Sequence, residues 1–345
     1  MFRKFALTLI TLAVLLSACA PAATPTAAPV PTTAPQVEPT TMPAPTTAPA
    51  PTVEPTVAPT TAPAPADESI TLVDGLKREV KLAKPAQRII SIAPSNTELL
   101  YAIGAGAQLI GRDDLSDFPA EAKAIQDVGS AFGKLNTEAI IALKPDLILA
   151  AEINAPEQVK TLEDLGLTVY WLANPLDFAD LSENLKIVGT LTGRTAEAAQ
   201  VSQSIEARYQ AVIEKVATSS KKPTVFYEID ATDPTKPYTT GPGTFVDKLI
   251  DLAGGTNIGR ALKEQFAQIS SEELVKVNPD MIVLGDSLYG VTAESIAQRA
   301  GWDKLSAVKN GAVFTFDDNL ATRPGPRLID GLEAFAKLFH PELFK

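Results

Sequence analysis

From Arg88 onward the chain alternates short runs of consecutive apolar residues with longer stretches in which apolar residues recur every three or four positions. RIISIA (88–93), DLILAA (146–151), TVYWLA (168–173), TVFYEI (224–229), DMIVLG (280–285) and AVFTFDD (312–318) are of the first kind and read as strands buried on both faces. PSNTELLYAIGAG (94–106), EQVKTLEDLGL (157–167), TFVDKLIDLAGG (244–255) and SIAQRAGWDKL (295–305) are of the second kind and read as helices. Ser95 and Glu98 have the spacing of a capping box, and Gly104 or Gly106 can end the helix they open. Strands that alternate with helices predict an α/β fold with parallel sheets.

The pattern is also doubled. TEAIIALKPDLILA (137–150) returns as SEELVKVNPDMIVLG (271–285), and Glu138 with Glu272, Pro145 with Pro279 and Asp146 with Asp280 are each 134 residues apart. A constant offset predicts two related lobes. Asn136 and Ser270 stand where N-caps belong, which puts Glu138 and Glu272 in the first turns of matching helices. Between the halves, Val201, Ile205, Tyr209, Val212 and Val216 keep helical spacing in a stretch without proline, so Thr195 to Ala217 reads as one long helix bridging the lobes. A cleft between lobes is a favoured ligand site.

Composition changes the picture only at the start of the chain. Arg3 and Lys4, the apolar run Phe5 to Leu16 and the small residues Ser17 and Ala18 have the layout of an export signal, 1–18, and the apolar run is shorter than the roughly 20 residues of a membrane span. Cys19 is the single cysteine, so no disulfide is expected. Residues 20–66 are almost entirely Pro, Thr, Ala and Val and hold 14 of the 28 prolines, a composition with little to bury. The organisation expected is therefore a signal at 1–18, a tether at 19–66, an N-terminal lobe at 67–179, a helical connection at 180–220 and a C-terminal lobe at 221–345. A net charge of −11 and a pI near 4.8 argue against a nucleic-acid partner, which requires a basic face.

RIISIAPSNTELLYAIGAG, SDFP, ALKPDLILA, the long connecting helix, YTTGPGTFVDKLIDLAGG and RPGPR occur in an order that resembles the substrate-binding lipoproteins of metal-chelate ABC importers, and the resemblance runs from about Arg88 to Leu338. It is nearest to the cobalamin-binding members of that family. LSAC resembles the bacterial lipobox, which implies that Cys19 is lipidated and that the domain is held outside the cell membrane, on the cell surface or periplasmic side. The resemblance further implies two Rossmann-like lobes joined by one stiff helix, a monomer with no cofactor of its own, and a ligand between the lobes: cobalamin, haem or a ferric siderophore. Partners would be that chelate, the membrane through the lipid, and the importer's transmembrane subunits, whose arginines meet one acid on each lobe. The positions that match those acids are Glu138 and Glu272. An acid in a first helical turn is also stabilised by about 0.3–1 kcal/mol with no partner at all.

For the ligand, the candidates are Phe118 and Phe132 on the N-terminal lobe, and Tyr238, Phe266, Asp318 and Arg323 on the C-terminal lobe. Aromatic rings suit a large flat macrocycle, because they bury much area at small entropic cost. After DLILA the chain has Ala151 and Glu152 where the cobalamin binders carry a tryptophan. Tyr227, Tyr238 or Tyr289 would be the residues to ligate a haem iron, while Arg112, Arg323 and Arg327 would serve an anionic siderophore; His340 reads as a surface or packing residue. The balance favours a corrinoid. Related two-lobed designs also carry chelatase-like enzymes, yet no HExxH, GxSxG, P-loop or Cys/His cluster is present. A stalk or adhesion role would leave the paired glutamates unexplained.

Overall fold

Residues 69–345 are described by the structure, a computed structural model. The expected signal, Cys19 and the expected tether lie outside the described residues. The described chain opens with an antiparallel hairpin, β1 (Ile70–Val73) and β2 (Glu79–Leu82). The N-terminal lobe then runs β3 (Ile89–Ser91), α1 (Pro94–Ala102), β4 (Leu109–Arg112), α2 (Thr137–Leu143), β5 (Leu147–Ala151), α3 (Pro156–Asp164) and β6 (Val169–Leu172). Its sheet is wholly parallel in the order β4-β3-β5-β6. All residues of β3, β5 and β6 are buried, as strands covered by helices on both faces must be.

Two helices follow, α4 (Phe178–Thr192) and α5 (Thr195–Val216). Asp177 caps α4 by accepting the Ala179 and Asp180 N–H groups at 2.9 and 3.0 Å, and Gly193, at φ 73°, lets the chain turn directly into α5. The long helix foreseen at 195–217 is α5, with its end one residue earlier. Phe178 of α4 packs on Tyr209 of α5 at 5.1 Å.

The C-terminal lobe runs β7 (Thr224–Asp230), β8 (Tyr238–Thr240), α6 (Phe245–Leu252), β9 (Thr256–Asn257), β10 (Phe266–Gln268), α7 (Ser271–Val277), β11 (Met281–Leu284), α8 (Ala293–Ala297), α9 (Ser306–Lys309), β12 (Val313–Thr315), α10 (Asn319–Thr322) and α11 (Leu328–Phe339). The sheet order is β10-β8-β7-β11-β12, with β9 also on β7. β8 and β10 are antiparallel to their neighbours, a departure from the purely parallel expectation. Only residues 231–237 join β7 to β8, and a parallel crossover needs about a dozen or more. One apolar cluster unites Leu99 and Leu149 of the first lobe, Ile205 and Val212 of α5, and Leu249 and Phe335 of the second. The ring of Phe178 meets that of Phe245 edge-on at 5.8 Å, so the connecting helices share a core with both lobes.

The doubled phrase has a common mechanical content. The side chain of Asn136 accepts the Ala139 N–H at 3.0 Å and that of Ser270 accepts the Glu273 N–H at 3.2 Å, so both caps form as the spacing predicts. Each helix ends in a left-handed residue, Lys144 or Asn278, at φ 48° and 52°. Then comes Pro-Asp. Asp146 accepts the Gln87 and Arg88 N–H groups at 2.8 and 2.9 Å, and Asp280 accepts the Thr224 N–H and hydroxyl at 2.8 and 2.7 Å. In each lobe the aspartate thus fastens the entry of its strand to the entry of the lobe's first strand. Replacing Asp280 by alanine is expected to cost about 0.5–1.5 kcal/mol in urea denaturation, because it removes two hydrogen bonds whose exposed donors can turn to water; an unchanged stability would remove this role.

Candidate functional site

One polar contact between the lobes lies where α1 faces the loop between α10 and α11. Glu98, whose side chain is 2 % exposed, accepts two hydrogen bonds from the Arg327 guanidinium, Nε at 2.9 Å and Nη2 at 2.6 Å. That guanidinium also lies over the Phe118 ring, 3.9 Å from its centroid. Arg323 donates to Asp117 at 2.6 Å and comes within 3.7 Å of Glu98. Burial works against ionisation of Asp117, but the hydrogen bond and charge of Arg323 outweigh it and hold its carboxyl below the usual range. The capping box expected at Ser95 and Glu98 does not form. Pro94 is the first helical residue and Ala93 the N-cap, so Ser95 lies too far inside the helix to cap it, and Glu98 serves the other lobe.

A cleft of about 450 Å³ lies between the lobes, with Glu152, Asn174 and Leu176 on one wall and Thr244, Phe266 and Thr322 on the other. The loop carrying Asn174 and Leu176 is held from below: Asn184 donates to the Ala173 carbonyl at 2.9 Å and Asp180 accepts the Leu176 N–H at 2.9 Å. Leu176 is left 70 % exposed, and Phe266 57 % exposed. In the antiparallel register Phe266 pairs with Thr240 and Gln268 with Tyr238, so the Phe266 and Tyr238 rings stand on one face, diagonally related. Tyr238 is 40 % exposed and, unlike Phe266, is not among the residues bordering the cleft.

The remaining sequence candidates fall elsewhere. Phe118 borders a second hollow of about 450 Å³, among Tyr101, Ile205, Arg208 and Arg327. Arg323 is engaged with Asp117, as above. Asp318 accepts the Tyr227 hydroxyl at 2.6 Å and the Thr322 hydroxyl at 2.8 Å, and burial raises its pKa. Phe132 is 74 % exposed and is not among the residues bordering the cleft. Glu138 and Glu272 are both exposed in the first turns of α2 and α7, and a hollow of about 510 Å³ lies against Glu272, Lys276 and Val277.

Several open choices narrow on this geometry. Tyr227 is fully buried and its hydroxyl is already given to Asp318. His340 is likewise buried, a packing residue. Arg112 donates to the carbonyls of Asp113 and Ala122 at 2.7 and 3.0 Å, and Arg323 and Arg327 are paired across the lobes. All three arginines that an anionic siderophore would use are therefore engaged. Glu98, Asn174, Leu176 and Thr322 escaped the sequence reading. Only Glu98 carried a signal, and it pointed to a cap.

A family model described as periplasmic binding protein matches residues 89–320. The chain is 34 % identical over 281 residues to the uncharacterized ABC transporter substrate-binding lipoprotein YvrC of Bacillus subtilis, covering 80 % of this chain and 87 % of that one. The crystal structure of the periplasmic vitamin B12-binding protein BtuF of Vibrio cholerae is similar at a TM-score of 0.65 and 27 % identity, over 76 % of this chain and 99 % of that one. A possible iron-binding, periplasmic solute-binding protein of Staphylococcus epidermidis is similar at a TM-score of 0.64 and 32 % identity, over 74 % of this chain and 99 % of that one.

Proposed function

Because the chain belongs to the periplasmic binding protein family and is a substrate-binding protein of an ABC transporter, we propose that it captures a corrinoid between its lobes and delivers it to the importer's transmembrane subunits. The observation that carries the corrinoid is the character of the cleft. Its walls offer Leu176, Pro175 and the Phe266 ring with the amides of Asn174 and Gln265, while the candidate arginines are engaged elsewhere. Such a surface suits a bulky ligand with amide edges and no concentrated negative charge. The vitamin B12-binding similarity supports the same class. An iron chelate is the second reading, favoured by the similarity to the possible iron-binding protein.

The rest of the reading concerns placement. Cys19 carries the lipid, supported by LSAC behind a signal-like segment and by the lipoprotein name of the Bacillus relative. The tether then keeps a single binding domain beside the outer face of the membrane. Glu138 and Glu272 are the contacts to the transmembrane subunits.

Titrating the processed chain with cyanocobalamin, haemin and a ferric siderophore, followed by absorbance and calorimetry, tests the ligand. Cyanocobalamin is expected to bind most tightly. Phe266→Ala should weaken that binding about tenfold, since a half-exposed ring that becomes covered contributes about 1.5 kcal/mol. Tighter binding of haemin or the siderophore would replace the corrinoid by an iron chelate, and no interaction with any of the three would sink the ligand reading.

A further inference from the structure

Phe132 is 74 % exposed, yet the chain on either side of it is fastened. A single exposed ring carries little meaning. What sets this one apart is where its neighbours' carbonyls go. Before it, the Ala131 carbonyl accepts Asn154 Nδ2 at 3.1 Å, and that nitrogen also donates to the Ile92 carbonyl at 2.9 Å. After it, the Gly133 carbonyl accepts Gln158 Nε2 at 2.7 Å.

Asn154 is fully buried, and its Oδ1 accepts the Ala151 N–H at 2.9 Å, so one amide joins the ends of β3 and β5 to the loop. Gln158 stands in the first turn of α3, where its Oε1 accepts the Ala155 N–H at 3.0 Å. Within the loop, the Ser130 N–H donates to the Lys134 carbonyl at 3.2 Å, and Gly129 pairs with Leu135. The ring itself belongs to none of the apolar clusters of the described residues. Fixing a residue's backbone costs about 1–2 kcal/mol, and here that order is given to a side chain that packs in no core.

The place of the loop gives the order a purpose. The ends of β3 and β5 are carboxyl ends of a parallel sheet, where ligands of open α/β sheets lie. Glu152, on the wall of the interlobe cleft, precedes Asn154 by two residues. Phe132 stands outside that hollow of about 450 Å³, and a corrinoid, bulkier than the hollow, must extend beyond its lining.

We propose that Gln158 is a positioning residue: together with Asn154 it holds Phe132 at the edge of the cleft, so that the ring meets the part of the ligand that projects beyond the hollow. This rests on the ligand reading above. A ring ordered before binding loses less freedom on contact than one on a free loop, and that saving appears as affinity.

The test is a double-mutant cycle on the full processed chain, with Phe132→Ala, Gln158→Glu and the two together. Affinity is measured calorimetrically with cyanocobalamin, or with haemin or the ferric siderophore if one of them binds more tightly. Glutamate at 158 keeps an acceptor for the Ala155 N–H and removes only the donor to Gly133, so α3 keeps its start. Phe132→Ala should weaken binding about tenfold and Gln158→Glu about threefold. In the double variant the loss should stay at that of Phe132→Ala alone, because Gln158 acts through the ring. Without ligand, amide exchange across Ser130 to Lys134 should quicken about tenfold in Gln158→Glu and stay unchanged across α3. Unchanged affinity in Gln158→Glu, a double-variant loss equal to the product of the single ones, or unaltered exchange in the loop would each overturn the positioning role while native binding stands. Absence of binding of all three chelates by the native chain would overturn the ligand reading and this role with it.

Discussion

Replacing Arg327 by methionine is expected to destabilise the chain by about 3–5 kcal/mol in chemical denaturation, because it leaves the buried Glu98 carboxylate without its two charge-assisted hydrogen bonds. Methionine keeps much of the arginine's apolar stem, so the loss reports the charge and not a void. The neighbouring pair behaves differently. Arg323 meets Asp117, which is 47 % exposed, and also lies 3.7 Å from the buried Glu98, so Arg323→Met should cost more than the ~1 kcal/mol of an exposed pair but less than Arg327→Met, because both hydrogen bonds to Glu98 remain. Combining Arg327→Met with Glu98→Gln should recover most of the loss, since no charge is then left buried. Ligand affinity should fall in Arg327→Met even where the protein is fully folded, if the contact between Glu98 of one lobe and Arg327 of the other helps to hold the lobes at their spacing. A loss below about 1 kcal/mol in the single variant would mean that solvent or the nearby Arg323 compensates Glu98 and that the Arg327 contact does not fix the lobes.

That pair also shows where sequence reasoning stops. Local signals were legible: the caps at Asn136 and Ser270 formed, and α5 begins at the residue that periodicity chose. These depend on neighbours three or four positions apart. Glu98 and Arg327 lie 229 residues apart, and nothing near either one announces the other. The S-x-x-E spacing at Ser95 was a true pattern with the wrong consequence, because Pro94 at the first helical position moved the cap back to Ala93. The ligand residues divide in the same way. Phe266 and Tyr238 share a face because a two-strand register puts them there, whereas Asp318 and Arg323 looked free in sequence and are held by Tyr227 and Asp117, which only the fold brings near. Strands, helices and their doubling can be read from periodicity; a polar residue's availability depends on tertiary partners and cannot.

Converting Glu138 and Glu272 together to alanine is expected to reduce ligand transport by membranes carrying the importer a hundredfold or more, with cyanocobalamin affinity in solution unchanged. Each glutamate is exposed in the first turn of its helix, and the two occupy equivalent places in the two lobes. A charge-assisted hydrogen bond from an arginine contributes about 1.5–3 kcal/mol, and each 1.4 kcal/mol is tenfold in affinity, so two lost contacts account for that factor. The competing explanation is that each acid serves only its own helix dipole. It predicts a different pair of numbers: a stability loss of about 0.3–1 kcal/mol per site and no change in transport. Glutamine at both positions sharpens the comparison, because it keeps the side chain's size and removes the charge. If the glutamine variant transports like the native protein, the acids are helix-terminal residues and docking lies elsewhere. If it fails while binding its ligand normally, the repeat has placed one recognition charge on each lobe. Single variants should then show intermediate transport, since the remaining contact still orients the protein on its partner.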